Sequence, residues 1–288
     1  MNKTTSRQFC LTLDCPSEAG EVAAAVEFLD QRGCYIDELA VFDDQERKRF
    51  FLRCRFHHRS GQALQLPALQ QDFASIGQRF GMRWAIHDMA DRPRVLILVS
   101  RFDHCLADLL FRWRMDELQM HVVAIVSNHD TLAPLAAANG VPFHHLPVTA
   151  ETKDVQEAQL RALIAKHDVE LVVLARYMQV LSARFSADYA GRVINIHHSF
   201  LPGFKGARPY HQAFERGVKL IGATAHFVTD ELDEGPIIEQ VVERVDHSYS
   251  PDRLQATGRD MECQALARAV KAFTERRVFI NGNRTVLL

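Results

Sequence analysis

A short apolar run, Val193-Ile194-Asn195-Ile196, delivers Asn195 and His197 at its end, before Pro202 and Gly203 break the chain into a loop. Read as a strand, the run turns residues two apart to the same face. The carboxamide of Asn195 and the imidazole of His197 then emerge side by side, while Ile194 and Ile196 pack. Two such groups converging on one point suit an oxygen that gains negative charge, which is what acyl transfer requires. Further along, Asp230-Glu231-Leu232-Asp233-Glu234-Gly235-Pro236 lies between the apolar runs Leu220–Val228 and Ile237–Val245. Taken alone it is a solvated acidic hairpin loop. Beside the Asn195–His197 pair it is also a source of a carboxylate for acid–base work.

Asn195, His197 and Asp233, with Ser-Phe-Leu-Pro at 199–202 and Leu-Asp-Glu-Gly-Pro at 232–236, resemble the catalytic set of the folate-dependent formyltransferase fold. The stretches Gly-Ala-Arg-Pro-Tyr-His-Gln-Ala (206–213) and Gly-Ala-Thr-Ala-His-Phe-Val-Thr (222–229) continue the likeness. Over nearly the whole chain it is closest to the formyltetrahydrofolate deformylase branch. That resemblance implies 10-formyltetrahydrofolate as substrate and its hydrolysis to formate and tetrahydrofolate, supplying formate for purine synthesis and balancing the one-carbon folate pool. It implies that Asn195 donates to the tetrahedral oxyanion and that His197, when protonated, donates a charge-assisted bond. Asp233 would orient the imidazole or take a proton from attacking water. The segment Leu174-Ala-Arg-Tyr-Met-Gln-Val-Leu181 is similar to the family's folate-binding loop. Leu174, Arg176 and Gln179 would meet the ligand there, together with Thr229, Asp230, Glu234 and Gly235. On the residues alone, 174–181 is equally a strand-to-helix connection with Met178 and Leu181 in the core.

The acceptor follows from a different stretch. Ribonucleotide formyltransferases of this fold hold the acceptor phosphate on a Gly-rich loop after the first strand, where backbone N–H groups meet the anion. Here that place reads Ser100-Arg-Phe-Asp-His-Cys-Leu106, without glycine. Together with Ser127-Asn-His129 it resembles the deformylase branch, and Asp103 would repel a phosphate unless Arg101 pairs with it. Water is the acceptor this implies. Two other readings stand beside it: a formyltransferase to a small amine, and a catalytically silent amino-acid sensor. No cofactor is expected, since the folate is itself the substrate. No metal site is expected either, because no histidine pair has H-x-x-x-H spacing with a helical Glu and no cysteines form C-x-x-C.

The elements that must position these groups fall into two blocks. The first alternates as strand Phe9–Cys15, helix from Ser17 to Gly33, strands Cys34–Phe42 and Arg49–His57, helix Leu66–Phe80 and strand Met82–His87. This βαββαβ order is a ferredoxin-like plan, and with Cys15-Pro16 and Gly20 in its first turn it resembles an ACT domain, spanning 1–88. Such a module implies either an amino-acid effector site or a bare dimerisation surface. Ser17 and Gly20-Glu21-Val22 depart from its usual turn, and both alternatives stand. Asp88–Pro93 forms a polar, proline-ended linker. The second block, 94–288, alternates strand and helix from the aliphatic run Arg94–Ser100 onward and predicts a Rossmann-like open parallel sheet of the formyltransferase fold. Its closing elements are a helix over Leu254–Thr274 and strands at Val278–Ile280 and Thr285–Leu287.

A formal net charge of −2 lacks the basic face that nucleic-acid binding needs. No apolar run is long enough to span a membrane. The opening Met-Asn-Lys-Thr-Thr-Ser-Arg-Gln lacks the apolar core of a signal peptide. With cysteines scattered through apolar runs, these features predict a cytoplasmic protein with reduced thiols, and the ACT-like block implies a homo-oligomer.

Overall fold

Arg94–Val99 (β5) is an interior strand of the larger sheet, and its residues from Val95 onward are fully buried. Continuous aliphatics are required there, because helices cover both faces of a mostly parallel sheet. The computed structural model describes residues 7–61, 64–201 and 209–288. Pro202, Gly203 and the start of the 206–213 motif therefore lie outside the described residues, as does the chain's opening hexapeptide.

The chain divides into two compact units. The first contains β1 (Gln8–Pro16), α1 (Glu21–Gln31), β2 (Cys34–Asp44), β3 (Arg49–His58), α2 (Leu66–Arg79) and β4 (Arg83–Asp88). Its sheet has the order β2-β3-β1-β4 with antiparallel pairing throughout. Phe9, Leu11 and Leu13 of β1 pack with Phe28 and Leu29 of α1 and Phe73 of α2. The Phe28 and Phe73 rings meet edge-to-face at 5.0 Å.

The last two strands depart from expectation. β12 (Val278–Asn281) and β13 (Arg284–Leu287) form a hairpin. They were expected within a domain spanning 94–288, yet Arg276–Asn281 and Thr285–Leu288 belong to the first unit. The reason is apolar area on the sheet face away from the helices, where Phe51 is fully buried against Phe279 at 5.8 Å. Asn281 Nδ2 also donates to Asp44 at 2.6 Å.

The second unit contains, after β5, α3 (His104–Arg114), β6 (His121–Ser127), α4 (Ala133–Ala138), β7 (Phe143–His145), α5 (Lys153–Lys166), β8 (Leu171–Leu174), α6 (Ala183–Asp188), β9 (Val193–His197), α7 (Pro209–Glu215), β10 (Leu220–Phe227), β11 (Ile237–Arg244) and α8 (Pro251–Thr274). Its sheet runs β11-β10-β9-β8-β5-β6-β7. The expected parallel sheet is in fact mixed. It is parallel from β7 to β9, while β10 and β11 join antiparallel as a hairpin on β9. The hairpin arises because the acidic loop reverses the chain directly, leaving no helix to carry a parallel crossover. Strand order reverses between β5 and β8, and ligands in open α/β sheets bind past the strand ends at such a point.

The short helix α7 was not anticipated, while α6 is the helix that the strand-to-helix reading of 174–181 leads into. Ser182 caps α6, accepting from Phe185 N at 3.1 Å. The long α8 begins at Pro251 rather than Leu254, with Ser250 accepting from Arg253 N at 3.3 Å. Among the described residues no helix is long and apolar enough to cross a membrane.

Candidate active site

The pairing of β9 with β10 assembles the site. His197 lies opposite Thr224 and Asn195 opposite His226. β10 then leads into the acidic loop, which folds back so that Asp233 Oδ2 stands 3.2 Å from His197 Nδ1. A carboxylate only accepts, so Nδ1 carries the hydrogen. The other ring nitrogen, Nε2, is buried and has no partner among the described residues. Hydrogen bonding from His197 is the main cause that holds the Asp233 carboxyl well below the usual carboxylate range. It is therefore an anion at neutral pH.

His226, on β10, stands directly beside the proposed catalytic groups. Its Nδ1 lies 2.8 Å from the Phe227 carbonyl oxygen and must be the protonated nitrogen. Its Nε2 accepts from Asn195 Nδ2 at 3.2 Å and lies 3.7 Å from Asp233 Oδ1. This fixes which way the Asn195 amide points. His198, the neighbour of His197 with ring centroids 4.8 Å apart, has its pKa pushed down to about 4. Burial is the main cause, reinforced by the charge of Arg176, so His198 is neutral at neutral pH.

These groups share a pocket of about 280 Å³, at the low end for a ligand site. Of the residues expected at the substrate, Leu174, Arg176, Gln179, Thr229, Asp230, Asn195, His197 and Asp233 line it. Glu234 and Gly235 fall outside the lining. Gly235 is needed for close approach instead: a Cβ there would stand 1.7 Å from the Phe227 carbonyl oxygen. Glu234 is exposed one residue beyond the turn. Lining residues not anticipated include Tyr177, His198, His226 and Leu232.

Both Arg176 and Asp233 adopt left-handed backbone conformations, with φ of 63° and 59°. For a residue bearing a Cβ this costs on the order of 1–2 kcal/mol, and such strain gathers at functional sites. The surroundings hold it in place. Ser100 N donates to the Arg176 carbonyl at 3.3 Å, and Met178 N donates to Ser100 Oγ at 2.9 Å. Ser100 Oγ in turn donates to Asn128 Oδ1 at 2.7 Å. The polar residues after β5 and β6 thus brace the 174–181 loop from behind. Arg101 does not turn to Asp103; it donates to His129 Nε2 at 3.3 Å. On the other flank, Thr224 Oγ1 accepts from Leu201 N at 3.1 Å and from Gln240 Nε2 at 3.0 Å, and donates to the Ser199 carbonyl at 2.9 Å.

As for metals, one group of ligand-type atoms occurs among the described residues: His104, Cys105 and Glu262, within 4.8 Å of one another. Arg176 also reaches Glu262, at 3.4 Å. The carboxylate therefore already has a positive partner.

A family model described as formyl transferase matches residues 93–270. A formyltetrahydrofolate deformylase of Corynebacterium sp. (strain P-1) is 51% identical over 278 residues, covering 96% of this chain and 97% of its own. The crystal structure of a formyltetrahydrofolate deformylase from Burkholderia mallei ATCC 23344 matches with a TM-score of 0.95 at 66% identity, over 98% of this chain and 99% of its own. Glycinamide ribonucleotide transformylase 1 from Symbiobacterium toebii matches at a TM-score of 0.65 and 30% identity, over 68% of this chain and 94% of its own. The deformylases match nearly the whole of this chain, whereas the transformylase matches 68% of it. The chain belongs to the formyltetrahydrofolate deformylase family.

Proposed function

We propose that this protein hydrolyses 10-formyltetrahydrofolate to formate and tetrahydrofolate, releasing formate for purine synthesis and adjusting the one-carbon folate pool. The observation that carries the reading is the His197–Asp233 pair at 3.2 Å, in one pocket with Asn195. Water attacks the formyl carbon and gives its proton to His197 Nε2 as the carbon–oxygen bond forms. Asp233 holds Nδ1 and balances the imidazolium charge. The oxyanion receives an N–H of Asn195. Collapse breaks the bond to the folate nitrogen, which takes the proton from His197, and formate leaves. Leu174, Arg176, Gln179, Thr229 and Asp230 contact the folate. No cofactor or metal takes part.

The test is direct: purified protein with 10-formyltetrahydrofolate and no acceptor should release formate at a steady rate. Absence of formate overturns the reading. Adding glycinamide ribonucleotide with a labelled formyl donor should leave the label in formate; label in the ribonucleotide would make the protein a transferase.

The first unit serves as an ACT-type module. Its four-stranded antiparallel sheet and βαββαβ order suit that plan. The edge strand β2 exposes Tyr35, Leu39, Val41 and Phe42, an apolar strip that suits pairing in a homo-oligomer. An amino acid is the effector class for the module. The six unpaired cysteines suit a reducing cytoplasm.

A further inference from the structure

Behind the pocket wall, one buried carboxylate gathers side chains from several segments of the second unit. Glu262 on α8 is 2% exposed. Its Oε1 accepts from Tyr210 Oη at 3.1 Å, and its Oε2 lies 2.7 Å from His104 Nε2 and 3.4 Å from Arg176 Nε. Burial pushes the Glu262 carboxyl up, but the His104 hydrogen bond and the Arg176 charge outweigh it and hold the group below its usual range. Glu262 therefore stays ionised, as the counter-charge to a largely buried guanidinium. The packing is specific to this arrangement. Gly258 lies one turn earlier on α8, and a Cβ there would stand 2.0 Å from Tyr210 Oη. Of these side chains, Arg176 alone also lines the pocket.

We propose that Glu262 is a positioning residue that acts on the folate pocket through Arg176. Tyr210 and His104 lock the carboxylate, and the carboxylate fixes the guanidinium in the pocket wall before ligand arrives. A long side chain that must be ordered at each binding event lowers affinity, and holding it in advance removes that loss. The left-handed backbone at Arg176 aims the side chain, and Glu262 keeps it there. The inference rests on the reading of Arg176 as a folate contact.

A double-mutant cycle on tetrahydrofolate binding, followed by calorimetry, tests it without needing turnover. Arg176→Gln and Glu262→Gln should each weaken binding by about tenfold to a hundredfold, as expected for loss of a bond to a charged group. The double variant should bind no more weakly than Arg176→Gln. In turnover, Glu262→Gln should raise KM with little change in kcat, and Glu262→Asp should restore part of the affinity. A merely structural role would lower the melting temperature of Glu262→Gln without coupling it to Arg176. Multiplicative losses, or unchanged binding in Glu262→Gln, overturn the proposal. If Glu262→Gln fails to fold, Tyr210→Phe decides: weaker binding that vanishes in an Arg176→Gln background supports the proposal, and unchanged binding overturns it. If the wild-type protein does not bind tetrahydrofolate, the folate reading itself falls, and this inference with it.

Discussion

Asp233→Asn isolates the charge of the His197 partner, because asparagine keeps an oxygen acceptor in the same place. Asp233 Oδ2 lies 3.2 Å from His197 Nδ1. At an effective dielectric constant of about 20, an imidazolium and a carboxylate at that distance attract by roughly 5 kcal/mol. The Asp233 side chain is 17% exposed, so solvent screens part of this. We take about 3 kcal/mol as the share lost in the transition state, which is roughly two orders of magnitude in kcat. His197→Ala removes the proton carrier itself and should cost roughly two to four orders. Since the two residues act as one unit, the double variant should be hardly slower than His197→Ala. The assay is formate release under saturating 10-formyltetrahydrofolate, with calorimetric tetrahydrofolate binding as the control for an intact pocket. A loss below tenfold in Asp233→Asn, or fully multiplicative losses in the double variant, would refute the reasoning.

Acidification should strain the second unit through His198. Its folded pKa of about 4 lies below the unfolded value, so between about pH 6.5 and 4 the unfolded chain binds the extra proton and stability falls as pH falls. At pH 5 this amounts to about 2 kcal/mol; urea unfolding followed by Trp113 in a Trp84→Phe background should show that loss, and His198→Gln should lack it. Gly235→Ala drives a Cβ into the Phe227 carbonyl oxygen, so it should destabilise by about 1–3 kcal/mol and slow turnover by displacing Asp233; near wild-type kcat would count against a rigid acidic loop. Deleting residues 1–92 alone should leave an aggregation-prone product, because Phe279 loses Phe51. Deleting 276–288 as well should improve solubility in a light-scattering comparison, and no difference would show that the terminal hairpin does not depend on the first unit.

Much of this site is legible in the residues themselves. Strand alternation pairs Asn195 with His197, and the short acidic turn between two apolar runs marks a reversal that carries carboxylates, among which the family resemblance singles out Asp233. These are local consequences of backbone period and turn chemistry, readable without knowing what packs where. The alternation of strands and helices likewise announces an α/β sheet after Arg94.

Other features depended on which distant segments meet. His226 carries no mark in the sequence that separates it from the other histidines; only the register of β10 against β9 sets it beside Asn195 and Asp233. The Ser100 and Asn128 side chains look like site residues but serve as a brace, because the loop they support arrives from a separate part of the chain. Glu262, on a long helix late in the chain, gives no sign of its role until α8 packs against α3 and carries it to His104 and Arg176. The closing hairpin changed unit because apolar area at Phe279 found its complement at Phe51, across more than two hundred residues. The periodicity of the chain determines which face of each element is apolar. Which faces are buried against one another, and so which polar groups share a low-dielectric space, is a matter of long-range packing that local pattern does not encode.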